Sequence, residues 1–271
     1  MNSAVRLCAL AVLVLVPACA GVSGGASAPA ALRGVPGFDT RDYPGDAVMR
    51  QWLDDSPYRW VGYYLPAPCY TGTTWSGRRS ALADMGWGFA VIFVGEQDWA
   101  AMRPAPGDTV PTVAPNPRCT RANLSAERGA ADAAAAASAA ASDGFPDGTV
   151  IFLDVERVER VSPELGSYVQ SWTAALLQAG RFVPGLYAHD VNTPALYALV
   201  EAEFARAGRT DAPRLWVAKA SGFALAAAPA DSGYPVAAVW QGVFDTRESR
   251  GGTTLNIDVN VAASADPSRG R

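Results

Sequence analysis

Four carboxylates stand where an apolar chain would least be expected to hold them: Asp39 in Gly37-Phe38-Asp39, Asp154 and Glu156 in Phe152-Leu153-Asp154-Val155-Glu156, and Asp258 in Asn256-Ile257-Asp258-Val259-Asn260. Charges inside apolar runs are costly to bury, so such positions carry chemical information. In an extended strand Asp154 and Glu156, two apart, point to the same face, and Asn256, Asp258 and Asn260 share a face in the same way. Carboxylates gathered in one place repel one another and raise at least one pKa, leaving a protonated acid beside an ionised partner. Acid-assisted glycosidic cleavage needs that pair. Two other readings stand beside it: acids of this kind cap loops and helix starts, and carboxylates also bind hard cations.

The elements that would position these acids are eight short apolar runs: Val35–Asp39, Arg59–Leu65, Gly88–Gly95, Thr149–Val155, Phe182–Ala188, Arg214–Ala220, Val236–Gly242 and Thr253–Asn260. Most are continuously apolar, as parallel strands covered on both faces are. Helical composition lies between them, at Asp46–Asp55, Gly77–Met85, Arg121–Ser142, Pro163–Gln178 and Thr193–Ala207. Ser162-Pro163-Glu164 supplies an N-cap and an N1 proline, and Gly180 a stop. Alternation of this kind predicts an α/β fold, a (β/α)8 TIM-type barrel over residues 35–261, with the outer helices after strands seven and eight missing or vestigial. A doubly wound sheet is the alternative, but no glycine-rich dinucleotide fingerprint follows the first strand and no Walker sequence occurs. In the barrel, strand eight closes against strand one, which brings Asp258 beside Asp39, with strand four facing them across the mouth.

Upstream, Arg6 precedes an apolar run from Leu7 to Val16 that is too short to span a bilayer, followed by Val16-Pro17-Ala18-Cys19. This predicts a lipoprotein-type signal peptide over residues 1–18, lipidation at Cys19, a flexible Gly/Ala/Ser/Pro tether over 19–34 and anchorage at the cell membrane. Ordinary secretion by cleavage within Ala18-Cys19-Ala20 is the alternative. Residues 262–271 read as a polar tail. The two remaining cysteines, Cys69 and Cys119, suggest one disulfide in an exported chain, stapling the loop after strand two to the long Pro-rich insertion Glu96–Thr120. Two separate thiols, or a zinc site, are the other possibilities; with His189 the only histidine and no C-x-x-C, zinc has little support.

The chain has 271 residues, 49% hydrophobic and 18% charged, with a formal charge of −4 and 21 Arg and one Lys scattered along it. A core is readily supplied, and no basic stripe exists to follow a nucleic acid.

The order GFDT (37–40), FLDVE (152–156), GLYA (185–188), LWVAKA (215–220), VWQ (239–241) and IDVN (257–260) resembles the glycoside-hydrolase-like domain known as domain of unknown function 1906. More distantly it is similar to the family 25 glycoside hydrolases, lysozyme-type muramidases with a β/α barrel. The resemblance implies Glu156 as general acid, Asp154 as the partner that positions the acetamido group or the attacking water, and Asp39 and Asp258 as flanking carboxylates. Lys219 and Gly242 depart from it, standing where aromatic residues are usual. Tyr187, Trp216, Trp240, Gln241, Asn260 and Trp99 are the candidates for substrate binding, since sugar faces stack on aromatic rings; core packing is the other reading for the tryptophans. His189, just past strand five, is expected to make at most a minor substrate contact. These observations imply a cell-envelope glycan such as peptidoglycan as partner, no cofactor and no metal. The chain is read as an exported hydrolase or as a catalytically inactive glycan-binding or structural protein.

Overall fold

The computed structural model describes residues 33–98 and 119–269. The expected signal peptide, Cys19, most of the tether and Trp99 lie outside the described residues. No helix among the described residues is long and apolar enough to cross a membrane.

Eight strands close into a barrel in sequence order: β1 (Val35–Asp39), β2 (Trp60–Tyr64), β3 (Gly88–Val94), β4 (Val150–Val155), β5 (Val183–His189), β6 (Arg214–Ala218), β7 (Ala237–Arg250) and β8 (Thr253–Ala262). Five α-helices cover it, one after each of the first five strands: α1 (Asp46–Asp55), α2 (Arg79–Met85), α3 (Ala126–Ser142), α4 (Pro163–Ala179) and α5 (Thr193–Arg206). The caps explain where two of them start. Ser125 accepts from the Arg128 N–H and Ser162 from the Leu165 N–H, each satisfying an otherwise unpaired donor of the first turn. The alanine-rich α3 buries Ala133, Ala136 and Ala140, small side chains that let it lie close against α4.

The last strands differ from the expected parallel barrel. After β6 there is no α-helix, only a 3-10 turn at Pro229–Ser232, and β7 passes directly into β8, which runs antiparallel to both β7 and β1. The reason is local. Arg250 pairs with Thr253, and the two intervening residues, Gly251 and Gly252, have φ of 50° and 83°. A two-residue turn with both φ positive is the hairpin connection that matches strand twist, and it leaves no length for a crossover helix. Asp258 therefore reaches the mouth from mid-strand, not from a strand end, and is paired with Asp39. Beyond Val243 the β7–β8 ribbon continues past the barrel rim.

At the opposite end Val35 pairs with Ala262. The segment after β8 folds back across this floor. Ser268 accepts from the Val150 N–H and donates its own N–H to Phe89, and its Oγ accepts from the Val91 N–H, filling the gap below the first β3–β4 pair, Val91 with Ile151. Inside the barrel an aromatic layer lies beneath the mouth: Trp216 meets the edges or faces of Trp60, Phe152 and Tyr187, with centroids 5.4–5.8 Å apart. Gly37 makes room for it, since a Cβ there would lie 2.2 Å from the Trp60 ring.

Candidate active site

Above that layer the mouth is built from carboxylates. Asp39, at the end of β1, accepts from Tyr64 Oη at 2.8 Å and from Asn260 Nδ2 at 2.9 Å. Asp258 accepts from Gln241 Nε2 and from the Asp245 N–H, both at 2.6 Å. Asp245 sits where β7 leaves the barrel wall, and its φ of 48° turns its amide inward. Asp154 points into the same space from β4, 8% exposed, and its Oδ1 has no hydrogen-bond partner among the described residues.

Glu156 lies one step past β4. Its backbone is braced on both sides: Gln97 donates to the Asp154 carbonyl and accepts from the Glu156 N–H, while Asn192 bonds both the N–H and the carbonyl of Val158. Its carboxylate, with 29% of the side chain exposed, stands 3.4 Å from His189 Nε2. The imidazole stacks on Phe244 and meets Tyr187 edge-on.

The electrostatics follow from this crowding. Burial pushes Asp39 up to about 6, against the hydrogen bonds from Tyr64 and Asn260 that favour its charge, and with Glu156 and Asp245 adding to the rise. Burial also lifts Asp154 well above the usual carboxylate range, reinforced by Glu156, Asp39 and Asp258. Asp258 is raised by burial and by Asp39 despite the Asp245 amide. The phenols of Tyr64 and Tyr187 rise for the same two reasons, burial first and the carboxylates second, and stay protonated. Such a cluster can store protons near neutral pH and present acid and base forms side by side.

Several expected substrate contacts lie elsewhere. Trp216 is inside the barrel, 1% exposed, and its Nε1 donates to Asn260 Oδ1; it forms the floor under the carboxylates and has no surface for a sugar. Trp240 has the opposite parity and is buried outside the wall, donating to the Lys219 carbonyl and packed on Phe223. Asn260 is fully buried and acts on Asp39, and Gln241 acts on Asp258. Tyr187 does border the mouth. The two family departures have local accounts. Lys219 turns outward and donates to the Ser232 carbonyl, and Phe223 occupies the space beside Gly242, where a Cβ would lie 1.8 Å from its ring. Tyr64, Gln97, Asp245 and Phe244 belong to the site and were not singled out from sequence.

Cys69 and Cys119 are joined, Cα atoms 5.7 Å apart. Among the described residues the compact trio of metal-ligating atoms is Cys69, Glu96 and Cys119, but its sulfurs form this disulfide and offer no thiolate; the mouth carboxylates make no comparable trio.

Residues 50–262 match the family described as Rv2525c-like, glycoside hydrolase-like domain. The chain belongs to that family. The resemblance read from the motifs between FLDVE and IDVN holds at this level, while Asp39 on β1 lies outside the matched residues. Among solved structures, this Rv2525c-like domain is similar to an uncharacterised protein of B. stearothermophilus, with 20% identity and a TM-score of 0.54 over 84% of this chain and 96% of that one. It is also similar to the modular autolysin LytC of Streptococcus pneumoniae, with 14% identity and a TM-score of 0.54 over 84% of this chain and 46% of LytC. The spore cortex lytic enzyme SleM of Clostridium perfringens gives 13% identity and a TM-score of 0.53 over 85% of this chain and 68% of SleM. At these identities the likeness is one of fold. No curated protein matches the chain.

Proposed function

We propose that this protein is an exported hydrolase of a cell-envelope glycan, with peptidoglycan as the substrate class. The observation that carries the reading is the mutual influence of Asp39, Asp154, Glu156 and Asp258 around one barrel mouth. Glycosidic cleavage asks for a carboxylic acid that protonates the leaving oxygen and an ionised partner that acts on the nucleophile or the charge it generates. Glu156 is the proton donor: its backbone is fixed by Gln97 and its side chain reaches the open part of the mouth. Asp154 orients the 2-substituent of the sugar or the attacking water, and Asp39 and Asp258 shape the field. LytC has been crystallised with a synthetic peptidoglycan ligand, and SleM is a cortex-lytic enzyme; both support the substrate class.

Export is supported by the basic residue and apolar run before Cys19, and by a disulfide that persists in oxidising compartments. A diacylglyceryl group on Cys19 and the tether after it would keep the domain at the membrane.

The test is release of reducing ends from purified peptidoglycan by the full chain and by Glu156→Gln, which keeps the shape but has no proton to give. Turnover is expected to fall by about 10²-fold or more while glycan binding persists. An undiminished variant removes Glu156 from the role. Binding by both without any release selects the inactive glycan-binding protein.

A further inference from the structure

Four side-chain donors of the mouth are already engaged within it. Tyr64 and Asn260 donate to Asp39, Gln241 donates to Asp258, and Trp216 donates to the Asn260 oxygen. Two buried acceptors are left over. Asp154 Oδ1 has no donor among the described residues, and neither has Gln241 Oε1, on a side chain 2% exposed whose amide is already fixed against Asp258. A buried acceptor without a donor is costly, and a ligand recovers that cost only by bringing N–H or O–H groups. The strongest charges acting on Asp39, Asp154 and Asp258 are one another and the carboxylates of Glu156 and Asp245, which favour positive charge on a ligand.

The two common states of a 2-amino sugar differ in this respect. An acetamido group offers one N–H and brings a carbonyl oxygen that itself needs a donor. A protonated free amine offers three N–H donors and a charge, which suits carboxylates. Building on the glycan-hydrolase reading above, we propose that the subsite bounded by Asp154, Gln241 and Asp258 takes an amino sugar whose 2-amino group is free and protonated, a de-N-acetylated residue of the glycan strand.

The probe pair is a β-1,4-linked glucosamine oligomer and its fully N-acetylated counterpart, titrated calorimetrically into the full chain at about pH 7, above the raised Asp39 and below the range in which amino groups lose their proton. The free-amine oligomer is expected to bind about ten-fold or more tightly than the acetylated one, and the preference to shrink to within about two-fold in Asp154→Asn and to weaken in Gln241→Met. Equal or tighter binding of the acetylated oligomer overturns the proposal. So does a preference that survives both substitutions in variants with unchanged circular dichroism, because the amine is then held elsewhere. A second arm compares reducing-end release from native and chemically de-N-acetylated peptidoglycan. If native peptidoglycan is cut and the free-amine oligomer is not preferred, the hydrolase reading stands and this proposal falls. If the free-amine oligomer is preferred and neither peptidoglycan is cut, the proposal stands and the hydrolase reading falls.

Discussion

His189 Nε2 lies 3.4 Å from Glu156 Oε2, and the imidazole is pinned at that distance by Phe244 on its face and Tyr187 at its edge. The single histidine of the chain, the last residue of β5, thus faces the carboxylate assigned as proton donor. Glu156, Phe244 and Tyr187 are side chains that meet its ring.

His189→Gln keeps a hydrogen-bond donor near Glu156 but removes the ring that Phe244 and Tyr187 hold. We expect kcat to fall by about ten-fold with KM changed little, because Glu156 loses the neighbour that fixes its carboxylate. Unchanged kcat and KM, with only lowered thermal stability, would mark His189 as packing.

Asp154 gives a prediction about stability. Its folded-state pKa lies above the ordinary value of 3.8, so the folded state holds the proton more tightly than the unfolded chain does. Stability contributed this way is present at low pH and is lost as pH rises above about 4 toward the folded pKa. Asp39 acts with the same sign between 3.8 and about 6. Asp154→Asn removes the buried charge, and its Oδ1 has no hydrogen bond to lose among the described residues, so its Tm should exceed that of wild type at neutral pH, by about 2–4 °C for each kcal/mol gained. The gap should close below about pH 4. Equal melting temperatures at both ends of the range would mean that Asp154 is hydrated.

The disulfide closes a separation of 50 residues, for which loop-closure entropy gives about 4 kcal/mol. A Cys69→Ala, Cys119→Ala double variant should lose up to that amount in chemical denaturation. A change below about 1 kcal/mol would show that the oxidised loop gains little from being tied.

Gly242 and Phe223 should be coupled. Gly242→Ala places a methyl group 1.8 Å from the Phe223 ring and is expected to destabilise by about 1–3 kcal/mol. In a Phe223→Ala background the same change should cost almost nothing, a double-mutant cycle readable by denaturant unfolding. Additive effects would show that the ring moves aside freely.

The acids were legible because burial of charge is expensive: Asp154 and Glu156 in FLDVE, and Asp258 in IDVN, stood out against their apolar surroundings, and strand parity placed Asp258 and Asn260 on one face. The direction of β8 was hidden, since an apolar run looks alike in either direction; Gly251-Gly252 was the signal, a two-residue turn between strand-like segments. Trp216 was assigned to the mouth because parity says inward without saying how deep, and its depth is set by contacts with Trp60 and Phe152 from distant strands. Gln97 gave no pattern at all. It lies in an irregular segment, and its importance comes from meeting both the Asp154 carbonyl and the Glu156 amide, a tertiary fact.

The reversed last strand has a further consequence for handling insoluble material. Because Val35 and Ala262 are paired at the floor, the chain enters and leaves the barrel side by side at the end remote from Glu156. Anything fastened to the chain ahead of Val35, whether an acyl group or a resin bead, pulls on the floor. Asp39 and Asp258, further along the same two strands, are left facing the mouth.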